Sequence, residues 1–132
     1  MVGEANLDVL LSSMTAKLVD GIYVFVTLKD RAVAAALEPR MMFMEAEGTT
    51  LILTKEEAED AALDYEFPCR MITLEIHSSL EAVGFLARIT AELANANMGV
   101  NPVSGFYHDH LFVPDGRQDD ALRILQTLAD EI

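Results

Sequence analysis

The chain predicts an α+β fold of two similar modules, each an antiparallel sheet with its helices on one face. Short runs of β-branched, aromatic and other apolar residues recur along the 132 residues. Segments with helical apolar spacing and N-capping residues lie between them. The order strand, helix, strand, strand, helix occurs twice, which places helices together on one side of an antiparallel sheet.

Each element has a local reason. Asn6 caps a short helix in which Leu7, Leu10, Leu11 and Met14 recur at spacings of three and four. Ala16–Val19 and Ile22–Leu28 are extended, and Asp20-Gly21 between them suits a hairpin turn. Tyr23-Val24-Phe25-Val26-Thr27 is β-branched or aromatic throughout, as in a strand buried on both faces. Arg31–Leu37 is Ala-rich and helical, and it stops before Pro39. Met41–Ala46 and Thr49–Leu53 flank Glu47-Gly48 as a second hairpin. Thr54 with Glu57 forms a capping box for the helix running to about Leu63.

Asp64 to Pro68 breaks the pattern and divides the chain into modules 1–66 and 67–132. Met71–His77 then alternates as a strand, and Ser78 with Glu81 forms another capping box. The helix that follows carries Ala82, Leu86, Ile89 and Leu93 on one stripe, with Gly99 as its C-terminal stop. Val100–Tyr107 and His110–Val113 are extended and joined around Asp109. Asp115 and Gln118 cap a last helix with Ala121, Leu122, Leu125 and Leu128 inward. The pattern is the split β-α-β arrangement called ferredoxin-like, of βαββαβ type. The second half runs out of chain before a fourth strand, and the open edge this leaves favours pairing with the other half or a second chain.

Composition narrows the function. Lys and Arg number 9 against 22 Asp and Glu, a net charge of −13. Phosphate backbones and anionic bilayers are bound through cations, so neither nucleic acid nor membrane is an expected partner. No apolar run approaches the ~18 residues of a spanning helix. The leading MVGEANLDVLLSSM has neither the basic start nor the apolar core of a signal peptide, so a cytoplasmic location is expected. Cys69 stands alone, with no disulfide partner and no activating pattern beside it, and reads as an inert buried thiol. The seven Met residues read as core filler.

Four strings of the chain resemble the ACT-domain superfamily: Asp20-Gly21-Ile22-Tyr23-Val24-Phe25, Glu45 to Leu51, His77 to Gly84, and Phe106 to Pro114. More closely, the chain resembles small bacterial proteins of two tandem ACT modules, with a second module related to CASTOR-type sensors. The resemblance runs from about Leu7 to Ala129. It implies a module that binds an amino acid or similar metabolite between the loop that opens the first helix and the facing second strand, commonly at an interface between modules. Those segments are His77–Gly84 and Val100–Tyr107. Gly84 matches a glycine of the family at the start of that helix, while Ser79-Leu80-Glu81 stands where an aspartate often precedes it.

The residues themselves offer further candidates. Ser78 and Ser79 sit at a helix start, where free N–H groups and the dipole favour a carboxylate or phosphate. Asn101 and Ser104 flank an odd strand containing Pro102 and Gly105, as at an edge, a bulge or a close approach to a ligand. His108 and His110 share a strand face around Asp109, and Tyr107 precedes them. With His77 they make a metal site conceivable, but two His at this spacing without matched carboxylate or thiol are more readily structural. Ser104, His108 and Asp109 supply the types for a hydrolase triad, yet they crowd one strand and point in alternating directions.

The expected ligand-binding set is Ser78, Ser79, Gly84, Asn101, Ser104, Tyr107, His108 and His110, with no catalytic residue, metal or cofactor. The expected function is a non-catalytic sensor of an amino acid or similar metabolite that acts on a separate protein partner, and a homo-oligomer is expected. The alternatives are a dimerisation module with no ligand and a His-dependent metal enzyme.

Overall fold

A computed structural model of the chain describes residues 3 and 5–132. Met1, Val2 and Glu4, part of the stretch read as lacking a signal peptide, lie outside the described residues. The polypeptide forms two compact units: Met1–Asp20 with Arg70–Ile132, and Gly21–Cys69. These units differ from the expected division at 66/67 in two places: residues 1–20 go with the second half, and residues 67–69 with the first. We call the two the split unit and the contiguous unit.

The split unit opens with α1 (Leu7–Ser13) and β1 (Ala16–Leu18). Asn6 caps α1 as expected, its side chain accepting from the Val9 N–H. The chain then enters the contiguous unit. Its elements are β2 (Tyr23–Leu28), α2 (Arg31–Ala36), β3 (Met41–Met44), β4 (Thr49–Thr54), α3 (Lys55–Asp60) and the first residues of β5 (Glu66–Leu74). The strand order is β3-β4-β2-β5, so this unit is a complete βαββαβ fold. Asp20-Gly21 does not make a hairpin: β2 pairs with β4 and β5, and β1 pairs with a later part of β5. The apolar face of β2 and β4 (Val24, Val26, Leu51, Leu53) packs against Ala34 of α2 and Ala58 of α3. Thr54 caps α3, but the Glu57 carboxylate accepts from the Glu38 N–H and does not complete a capping box.

The β2–β5 ladder shifts register between Tyr23 and Phe25. Phe67 sits there with φ 55°, a left-handed conformation uncommon for a non-glycine residue, and its ring meets Phe25 edge-on at 5.9 Å. Pro68, which has no N–H to give a ladder, follows it. Cys69 is fully buried, its Sγ 3.3 Å from the Tyr23 carbonyl oxygen.

The split unit resumes with the rest of β5, then α4 (Phe85–Asn95), β6 (Asn101–Ser104), β7 (Asp109–Pro114) and α5 (Gln118–Asp130). Its strand order is β1-β5-β7-β6, so β1 supplies the fourth strand that the second half lacks, pairing Ala16 with Leu74 and Leu18 with Ile72. One core joins Leu10, Leu11 and Met14, Ile72 and Leu74, Phe85, Ile89 and Leu93, Leu111 and Val113, and Ala121, Leu125 and Leu128. The ferredoxin-like α+β class is borne out in both units.

Several caps differ from expectation. α4 begins at Phe85, seven residues beyond Ser78, so Ser78 and Glu81 form no capping box. The left-handed residue after α4 is Asn97 (φ 58°), and Gly99 is not needed for it. Gln118 accepts from the Gly116 N–H, and α5 has no side-chain N-cap from Asp115.

Candidate functional site

Ser78, Thr49 and Asp109 are the buried polar residues among those described. Two of them meet in the split unit, where the Ser78 hydroxyl donates to Oδ2 of Asp109 at 2.9 Å. Asp109 is the first residue of β7, paired with Ser104 across the β6–β7 hairpin. Strand alternation puts Asp109 on the face of Leu111 and Val113, toward the helices, and His110 on the other face with Phe112. The turn is Gly105–His108, closed by the Gly105 N–H donating to the His108 carbonyl at 2.8 Å. Asp109, expected in the turn and outside the ligand-binding set, is instead a strand residue at the site. The apolar alternation Leu111, Val113 was the signal that it faces inward.

Facing Asp109 is the start of α4. Its N-cap is Gly84, at φ 91° and with no side-chain capping bond. The N–H of Arg88 is taken by the Gly84 carbonyl. Those of Phe85, Leu86 and Ala87 precede the intrahelical ladder, and no described residue accepts from them. These three residues, Ser78, Ser79, Gly84, Ser104 and Asp109 all line one cavity of about 160 Å³. Ser79 turns its hydroxyl oxygen to the Glu81 N–H at 3.1 Å. The cavity thus presents uncapped amide donors with a helix dipole on one side and a carboxylate on the other, which suits a ligand carrying both charges.

Of the expected set, Ser78, Ser79, Gly84 and Ser104 come together at this cavity. Asn101, Tyr107, His108 and His110 do not line it. Asn101 lies exposed at the far end of β6. Tyr107 is an exposed turn residue packed on Phe106 and His77, with ring centroids 5.0 and 5.7 Å away. His110 turns its Nδ1 to the Thr73 hydroxyl at 3.0 Å, and the His108 ring stands 6.5 Å from it. Among the described residues no group of three His, Cys, Asp or Glu is placed to hold a metal ion.

The contiguous unit has the same corner, built differently. Its first helix, α2, is capped by Asp30, whose carboxylate accepts from the N–H groups of Ala32 and Val33 at 2.8 and 3.3 Å. The chain's own carboxylate therefore occupies the donors that α4 leaves open. Two larger cavities, about 340 and 560 Å³, lie in this unit. Neither brings a buried carboxylate to free amide donors, so we assign the site to the smaller cavity on its chemistry.

Comparison with known proteins agrees with the fold. An ACT domain family matches residues 2–70 and a second ACT domain family residues 66–127. A crystal structure of a Vibrio cholerae protein of unknown function, described as a possible transport protein, superimposes with a TM-score of 0.85 at 40% identity, covering 93% of this chain and 95% of that one. The ligand-free regulatory subunit of aspartate kinase from Thermus thermophilus gives a TM-score of 0.60 at 10% identity, over 89% of this chain and 98% of that one. Clostridium acetobutylicum aspartate kinase gives 0.64 at 12% identity, over 90% of this chain and 34% of that one. No curated protein matches significantly. With both halves of the chain matched and a relative at 40% identity along nearly its whole length, this chain belongs to the ACT-domain family.

Proposed function

We propose that the protein is a non-catalytic sensor that binds a free amino acid in the split unit and passes that state to a protein partner in the cytoplasm. The uncapped first turn of α4 facing Asp109 carries this reading. The ligand's carboxylate takes the N–H groups of Phe85, Leu86 and Ala87, and its ammonium takes the Asp109 carboxylate. A carboxylate at a helix N-terminus gains both hydrogen bonds and the dipole. Among the described residues Ser78 is the one hydrogen-bond donor to Asp109, which leaves acceptor capacity for an ammonium. The regulatory subunit of aspartate kinase, with the same fold, is consistent with a regulatory role.

Thermal denaturation in the presence of each amino acid tests the proposal. A ligand at 100 times its Kd raises stability by about 2.7 kcal/mol. Asp109→Asn keeps the shape and an acceptor for Ser78, and removes that shift while circular dichroism stays unchanged. No shift with any amino acid at millimolar concentration rejects the reading.

A further inference from the structure

Six methionines lie among the described residues, and their surroundings divide them. Met14, Met71 and Met98 fill the core as expected, with 6%, 5% and 5% of their surface exposed. Met41 is half-buried, whereas Met42 and Met44 of the same strand are 42% and 58% exposed and fill no core. Met42 pairs with Leu51 and Met44 with Thr49, so both side chains lie on the sheet face that Leu51 turns to the helices. There Met44 meets the first residue of α2, Arg31, whose Nη1 donates to the Met44 Sδ at 2.9 Å. No described residue donates to the Met42 sulfur. Met44 and Arg31 also line the 340 Å³ cavity, together with Lys29.

We propose that Met44 is a stereoselective oxidation site, which takes one oxygen from a peroxide on the sulfur face that Arg31 leaves open. A thioether sulfur has a lone pair on each side of its C–S–C plane, and oxidation through one or the other gives opposite sulfoxide epimers. In the step, the free lone pair attacks one peroxide oxygen. The S–O bond forms, the O–O bond breaks, and the second oxygen of hydrogen peroxide leaves as water with both protons. Sulfur is oxidised by two electrons and the peroxide is reduced by two. The guanidinium engages one lone pair of Met44 and covers that face, so attack from the other side gives one epimer in excess. Met42 is exposed on the same face of β3 without a donor, and it gives both epimers. The oxidation puts a strong acceptor where the thioether was a weak one, on the wall of the cavity that Lys29 and Arg31 line. Sulfoxide reductases take one epimer each, so the return of Met44 to the thioether falls to one of the two enzymes. The chemistry is independent of whether the split unit binds an amino acid.

Limited treatment of the whole chain with hydrogen peroxide tests this, followed by digestion, exposure of the peptides to each epimer-specific reductase, and mass mapping. Met42 and Met44 gain an oxygen before Met14, Met71 and Met98. One reductase restores about fourfold more of the Met44 sulfoxide than the other, while the two restore Met42 equally. Arg31→Ala makes Met44 behave as Met42 does, and Met42 in the same molecule controls for any change in folding. Oxidation of Met44 no faster than that of the three buried residues, equal epimers at Met44 in the wild type, or a bias that survives Arg31→Ala overturns the proposal.

Discussion

The Ser78 hydroxyl and the Asp109 carboxylate, 31 positions apart in sequence, are joined by a 2.9 Å hydrogen bond under the loop that leads into α4. Both side chains are buried, so the bond fixes where the loop meets the β6–β7 hairpin. Ser78→Ala leaves Asp109 without its donor. Loss of a hydrogen bond to a charged group costs about 1.5–3 kcal/mol, and urea denaturation will read that loss as a lower midpoint at unchanged slope.

Gly84 sets how α4 starts. At φ 91° an alanine is strained, although its Cβ would meet nothing closer than Leu7 Cδ2 at 3.6 Å. Gly84→Ala is expected to cost about 1–2 kcal/mol through the backbone. Gly99→Ala is the control: no heavy atom lies within 4 Å of the added methyl and the φ is not in the left-handed range. It should leave stability unchanged or slightly raised.

The split unit should survive removal of the contiguous one. Leu18 pairs with Ile72, and the Val19 N–H donates to the Met71 carbonyl at 2.9 Å, so β1 and β5 are already aligned as the arms of a hairpin. A chain joining residue 19 to residue 71 through Asn-Gly is expected to unfold cooperatively on heating, with native-like amide dispersion. A fragment of residues 67–132 is expected to show neither. It lacks Leu10, Leu11 and Met14 of the core and the whole of β1.

Asp120 in the first turn of α5 titrates below the ordinary carboxylate range, held there by hydrogen bonds from Arg117 and then Arg123. A depressed folded-state value stabilises above the unfolded value and is lost as pH falls through the folded one. Asp120→Asn should therefore lower stability slightly at pH 7 and leave it unchanged at pH 2. The Asp120 side chain is open to solvent, so the effect should shrink in high salt.

Much of the fold was legible because apolar spacing is a local signal: Ile89 and Leu93, or Leu125 and Leu128, announce their helix face without knowledge of their partners. Ala16–Leu18 was legible as extended but not in its pairing. Its partner Ile72–Leu74 lies beyond an entire folded unit, and no local pattern encodes that distance. Ser78 was misread for a related reason. Ser-x-x-Glu satisfies the capping pattern, yet the buried bond to Asp109 competes for the hydroxyl and the helix starts later, at Phe85. His108 and His110 drew attention by residue type. The residue between them faces the cavity.

The insertion of residues 21–69 between β1 and β5 orders events on the ribosome. The contiguous unit is complete in the nascent chain once Cys69 has emerged, and it can fold while synthesis continues. α1 and β1, made before the contiguous unit, must wait for β5, α4, β7 and α5 before their apolar faces are covered. During that interval Leu10, Leu11 and Met14 are the surface a trigger chaperone would meet. A preformed contiguous unit shortens the wait, because it brings residues 20 and 70 together and replaces a 49-residue floppy loop with a folded one.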